Sequence, residues 1–155
     1  MKHPPSILQP HEKADYLWGV LEGLPVYGEL EKHHIFEGTG RRAMSEENGF
    51  WVWLRPENHT GANAQTNRLK IRGVHSERAV DVFLKAMCQY VYLQTHTMEE
   101  WMELVGRSYL DEGMPIGAES WPGGLQERLV DAWLGATAEA DWENYFTTDG
   151  TEVPY

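Results

Sequence analysis

Between residues 10 and 23 the apolar positions fall at Ala14, Leu17, Trp18 and Leu21, the spacing of a helix with one buried stripe. Pro10 suits its first turn and Gly23 its stop. Pro25 to Gly28 reads as a turn. The pattern then shortens. Residues 30–36 read as an extended piece, and Gly38 and Gly40 break the chain into a loop. Residues 50–54 (Phe-Trp-Val-Trp-Leu) are rich in β-formers and predict a strand that Pro56 ends. His59 falls on a turn or helix start, and the polar stretch 60–72 reads as a loop insertion. Helical spacing returns at Ala79, Phe83, Ala86, Met87 and Tyr90, which predicts a long helix from an N-cap at Ser76 to about Gln94. Thr97 and Glu100 have the spacing of a capping box, opening a helix with Trp101, Leu104 and Val105 on its apolar stripe and Gly106 at its end.

After Leu110 the texture changes. Gly113, Pro115, Gly117, Pro122, Gly123 and Gly124 mark a hinge-like segment, and residues 125–134 predict a short amphipathic helix stopped by Gly135. Trp142, Tyr145, Phe146 and Tyr155 are too apolar for a solvated tail, so they are expected to dock on something. The pattern predicts a domain over residues 1–110 and an extension over 111–155, docked on the domain or on a partner.

Charge sharpens that division. The chain of 155 residues has a net charge of −11. Residues 1–110 hold 12 Lys/Arg against 14 Asp/Glu, whereas 111–155 hold Arg128 alone against 10 Asp/Glu. A nearly neutral body therefore carries an acidic extension, and the total charge argues against nonspecific attraction to nucleic acid. Within the body, Arg41, Arg42, Arg55, Arg68, Lys70, Arg72, Arg78 and Lys85 lie close in sequence around the histidines, as either a positive surface or a solvated mixed-charge face. Seven Trp and seven Tyr supply large apolar surfaces for a core. Cys88, the single cysteine, excludes an internal disulfide and an all-Cys metal knuckle, and its helical position predicts a small buried residue. The N-terminus lacks a basic segment followed by an apolar run, and no apolar run approaches a membrane span. A cytoplasmic protein is the expectation.

The readable chemistry is concentrated in residues 31–75, which hold four of the seven histidines: His33, His34, His59 and His75. A neutral imidazole serves near pH 7 as base or as metal ligand. Neighbours on a strand point to opposite faces, so His33 and His34 share one ligand only if the strand bends there. His3, His11 and His96 read as surface residues.

The segment Glu31-Lys32-His33-His34-Ile35-Phe36-Glu37-Gly38, followed by Arg41 and Ser45-Glu46, resembles phage-encoded HNH-type nucleases related to recombination-enhancement proteins. Leu54-Arg55-Pro56-Glu57-Asn58-His59 with Gly73-Val74-His75 resembles the second half of their motif, and residues 105–110 their closing segment. The resemblance covers about residues 12–110. It implies an α+β fold: a ββα-metal (HNH-like) core hairpin with flanking helices, here with an acidic C-terminal helical extension. It also implies a metal-dependent endonuclease or nickase. His34 would be the general base. His33, His59 and His75 would hold one divalent metal ion, and Arg41 or Arg42 the scissile phosphate. Three imidazoles suit Zn, Ni or Mn more than Mg. The chain departs from the family at the structural zinc knuckle. Asp15, Trp18, Arg55 and Asn58 stand where those proteins often carry cysteines, so no structural zinc is expected, and packing of Trp18 is expected to replace it.

The partner of such an enzyme is DNA. The competing reading is a catalytically worn HNH scaffold whose acidic extension imitates DNA phosphates and binds a nucleic-acid-binding host protein, as anti-restriction or anti-CRISPR proteins do. Convergence or divergence of the histidine rings separates the two.

Overall fold

The computed structural model describes residues 4–60, 73–75, 78–111, 114–115 and 123–140. It is a mixed α+β chain: small antiparallel sheets surrounded by helices. The elements are α1 (Tyr16–Glu22), β1 (Glu31–His34), α2 (Arg41–Asn48), β2 (Trp51–Leu54), α3 (Pro56–His59), α4 (Arg78–Tyr92), α5 (Met98–Val105), β3 (Leu110–Asp111), β4 (Met114–Pro115) and α6 (Gly123–Ala136). Among the described residues no helix is long and apolar enough to cross a membrane.

The first helix is shorter than its apolar spacing predicts. It starts at Tyr16 because the Asp15 carboxylate accepts the Trp18 N–H at 2.8 Å, which fixes the N-cap there. Gly23, at φ 67°, closes it with the left-handed residue that a helix end favours.

Strands β1 and β2 pair antiparallel, with Glu31 opposite Leu54, Lys32 opposite Trp53, His33 opposite Val52 and His34 opposite Trp51. Residues 6–9 cover β2. The Ser6 hydroxyl donates to the Trp51 carbonyl, and Gln9 Oε1 accepts the Trp53 N–H at 2.9 Å. That satisfies backbone groups which a bare edge strand would expose.

The turn between the strands holds a helix that the glycines disguise. Gly40 (φ 80°) is the N-cap of α2 and Gly49 (φ 73°) its C-cap, so both residues are helix boundaries and not marks of an extended loop. A Cβ at Gly49 would collide with the Pro5 carbonyl oxygen, so the N-terminal segment crosses there against bare backbone. Ser45, fully buried on α2, donates to the Phe36 carbonyl (2.8 Å) and accepts the Phe36 N–H (3.1 Å).

The core forms where α4, α5 and the hairpin meet. Ala79, Phe83, Ala86, Met87 and Tyr90 of α4 are all buried, as their helical spacing predicts. Cys88 is buried beside them, and burial pushes its thiol well above the usual range. Thr97 and Glu100 make both halves of the capping box at α5. Trp101 is fully buried against Phe36 (centroids 5.7 Å), Phe50 (5.5 Å) and Tyr92 (5.7 Å), and its indole N–H donates to the Arg107 carbonyl at 2.8 Å. Such a ring gains area burial plus favourable ring-edge geometry. Gln89, buried on α4, ties down the closing segment: its amide donates to Ser108 Oγ (2.9 Å) and accepts from the Tyr109 N–H (2.7 Å).

Helix α6 lies against α1 and α4, and its Leu129 and Trp133 are fully buried in the same core. It runs one residue past the predicted stop at Gly135. The described part of the acidic extension thus shares the apolar interior of the body. The Ser76 N-cap, the insertion at 61–72, much of the hinge-like segment and the aromatics from Trp142 onward lie outside the described residues.

Candidate metal centre

The strand pleat separates the tandem histidines. Glu31 and His33 leave β1 on one face, and Lys32 and His34 on the other. β1 stays regular through His34, and Gly38 and Gly40 follow only after it. His33 is 2 % exposed, and neither of its ring nitrogens has a hydrogen-bond partner. A buried imidazole without partners is costly unless something outside the protein satisfies it.

Two further imidazoles face it. The His33 ring centroid lies 5.2 Å from that of His59 and 5.2 Å from that of His75. His59 is the last residue of α3, the single turn that Pro56 opens directly after β2. His75 is held beside it by backbone, since the Val74 N–H donates to the Asn58 carbonyl (2.8 Å) and the His75 N–H to the His59 carbonyl (3.3 Å). One nitrogen from each of the three rings lies within 4.8 Å of the others.

Carboxylates stand behind the two outer histidines. Glu31 Oε1 lies 2.9 Å from His59 Nδ1, and Glu37 Oε2 lies 3.4 Å from His75 Nδ1. A carboxylate at Nδ1 is the arrangement that orients an imidazole to offer Nε2 to a metal. The two Nε2 atoms stand 2.8 Å apart. Without a metal that spacing is a hydrogen bond between the two rings, and a metal ligated by both would displace its proton. In a tetrahedral site with metal–nitrogen bonds of about 2.0–2.1 Å, ligand nitrogens are about 3.3 Å apart. The His59–His75 spacing of 2.8 Å is shorter than that, and all three nitrogens lie within 4.8 Å of one another. Three imidazoles suit Zn, Ni or Mn.

The His33 pKa is pushed down to about 3, first by burial and then by the neighbouring His59, His75, His34 and Lys85. The ring is therefore neutral, as a metal ligand must be. The sign for stability follows. A histidine whose folded pKa is depressed stabilises the fold above its ordinary value near 6.5 and loses that contribution as pH falls toward the folded value. The metal-free protein is expected to lose roughly 2 kcal/mol from this group between pH 7 and pH 5. Thermal melts in EDTA at those pH values check this, with His33→Gln expected to flatten the dependence.

On the other face of β1, His34 Nε2 meets Glu46 Oε1 of α2 at 2.6 Å. Lys32 Nζ lies 3.2 Å from the same carboxylate, and Arg42 Nε donates to His34 Nδ1 at 3.4 Å. Arg41 is not brought to the cluster. Its guanidinium donates to the Val105 carbonyl at 3.3 and 3.2 Å and lies over the Phe36 ring, joining α2 to the end of α5. Sequence reasoning overlooked Glu31, Glu37 and Glu46. Glu31 was legible, since it stands two residues before His33 and so shares its face of the strand. The other two are placed by the loop and by α2.

The four positions at which those proteins often carry cysteines do meet, and Trp18 packs against the core as expected. They converge on the buried carboxylate of Asp15: Oδ1 accepts the Trp18 N–H (2.8 Å), and Oδ2 accepts the Arg55 N–H (2.7 Å) and the Asn58 side-chain amide (2.9 Å). Trp18 itself is only half-buried. Burial raises the Asp15 pKa above the ordinary carboxylate value, while the Arg55, Trp18 and Asn58 donors pull it down. Because Asn58 sits next to His59 and its carbonyl holds Val74, this carboxylate anchors the turn that presents both outer histidines.

The fold and site together define an α+β protein with a cluster of three imidazoles, backed by carboxylates, that could hold a cation. No protein-family profile, curated protein or solved structure matches the chain.

Proposed function

We propose that this chain is a metal-dependent phosphodiesterase of the HNH (ββα-metal) type that cuts or nicks DNA. The observation that carries this reading is the buried His33, whose two nitrogens lack partners while His59 and His75 face it. His33, His59 and His75 would hold one divalent ion, which supplies charge stabilisation for the phosphodiester. His34 ends β1 on the opposite face, and once the chain bends at that strand end it takes the proton from the attacking water. Glu46 engages its Nε2 and Arg42 its Nδ1, so Nδ1 accepts that proton once Arg42 turns away. The water oxygen bonds to phosphorus as the bond to the leaving sugar oxygen breaks. Arg42, beside His34 Nδ1, is placed to turn from the imidazole to the phosphate.

The acidic inhibitor or adaptor reading draws on carboxylates that mostly lie outside the described residues. It also assigns no role to three converging imidazoles, so the nuclease reading is preferred.

Metal analysis beside plasmid cleavage tests the proposal. The purified protein is expected to carry one metal ion per chain and to nick or linearise plasmid with added Mn, Ni, Zn or Mg. His33→Ala is expected to lose both properties. A wild-type protein that cleaves with none of the four metals would leave the acidic adaptor in its place.

A further inference from the structure

A cleft of about 390 Å³ opens beside the histidines on the face of β1 away from His34. It is lined by His33, Ile35, Glu37, Val74, His75, Arg78, Asp81 and Lys85. Two of its four charges neutralise each other: Lys85 Nζ lies 2.7 Å from Asp81 Oδ2, one helical turn away on α4. Glu37 faces His75. Arg78, exposed at the start of α4, makes no ion pair or hydrogen bond with any described residue. Before any metal arrives, the carboxylates and cations of the cleft balance, so an anion gains little by entering. A divalent ion on the three histidines tips that balance by two positive charges, and Arg78 is then the cation without a prior partner among the described residues.

We propose that this cleft is a phosphate-binding subsite in which Arg78 holds a backbone phosphate of the substrate, and that it takes an anion only when the metal is bound. The inference rests on the metal centre above but assigns a residue that the histidine motif does not include. A guanidinium suits the task because its planar donor pair matches two phosphate oxygens. Arg42 and Arg78 then grip the nucleic-acid strand from the two faces of β1, with the cation between them. Asp81 keeps Lys85 from competing for the same oxygens and holds it over the Phe36 and Tyr109 rings.

The test is calorimetric titration of inorganic phosphate into nickel-loaded and EDTA-treated protein. Saturable binding is expected in the loaded wild type and not in the metal-free protein. Arg78→Ala is expected to weaken it about tenfold or more, Arg78→Lys by less, and Arg41→Ala not at all. Equal affinity in Arg78→Ala and wild type overturns the subsite, as does equal binding without metal. Plasmid cleavage in parallel separates the two proposals. Loaded protein that binds phosphate through Arg78 but cuts no DNA keeps the subsite and removes the nuclease. Protein that cuts DNA with phosphate affinity indifferent to Arg78 does the reverse.

Discussion

Replacing His34 with alanine is expected to leave the bound metal in place and to lower phosphodiester hydrolysis about 10²–10⁴-fold, the usual contribution of a general base. The two effects separate because the pleat puts adjacent side chains on opposite faces. His33 faces His59 and His75, whereas His34 faces Glu46 and Arg42. His34→Ala therefore removes no ligand. His33→Ala, in contrast, is expected to lose metal and activity together. Single-turnover cleavage with saturating metal, beside metal content measured on the same preparation, distinguishes the two variants. If His34→Ala cuts DNA at the wild-type rate, the base is another group and the assignment of His34 fails.

Asp15→Ala is expected to destabilise the protein by about 3–5 kcal/mol, because it leaves buried donors without an acceptor. The Arg55 N–H, the Asn58 amide and the Trp18 N–H all end on this one carboxylate, and Asp15 is 1 % exposed. Truncation removes the N-cap of α1 and the link from α1 to α3 in one step. Asp15→Asn keeps one acceptor but sets an amide against the remaining donors, so it should fall between. Urea unfolding in EDTA measures the loss, with exposed Glu29→Ala as a control expected within about 0.5 kcal/mol of wild type. Metal affinity should fall as well, since α3 carries His59 and the Asn58 carbonyl holds the segment that carries His75. A midpoint unchanged from wild type would show that the hydrogen bonds at Asp15 contribute little.

These two residues mark different levels of legibility. The pairing of His33 with His34, the aromatic strand after them and the later His59 and His75 are visible in the chain, and the period of two already requires the tandem rings to part. The apolar stripe of α4 and the capping box of α5 are equally visible, because each depends on residues within a turn or two of one another. Helix α2 was not, because the glycines that cap it also have the composition of a loop and few of its side chains face inward. For α1, apolar spacing alone extended the helix back to Pro10, whereas the Asp15 cap begins it at Tyr16.

By itself the sequence determined the local periods, the caps, the opposite facing of His33 and His34, and the inventory of imidazoles and carboxylates. Only the tertiary structure decided which of them meet. Asp15 reaches Asn58 across 43 residues, Arg41 spends its guanidinium on a carbonyl 64 residues away, and Arg78 is left facing the cleft. The physical reason is that side-chain direction repeats every two or 3.6 residues and is written locally. Contact between distant segments is set by how buried faces pack, and no short stretch of sequence records that.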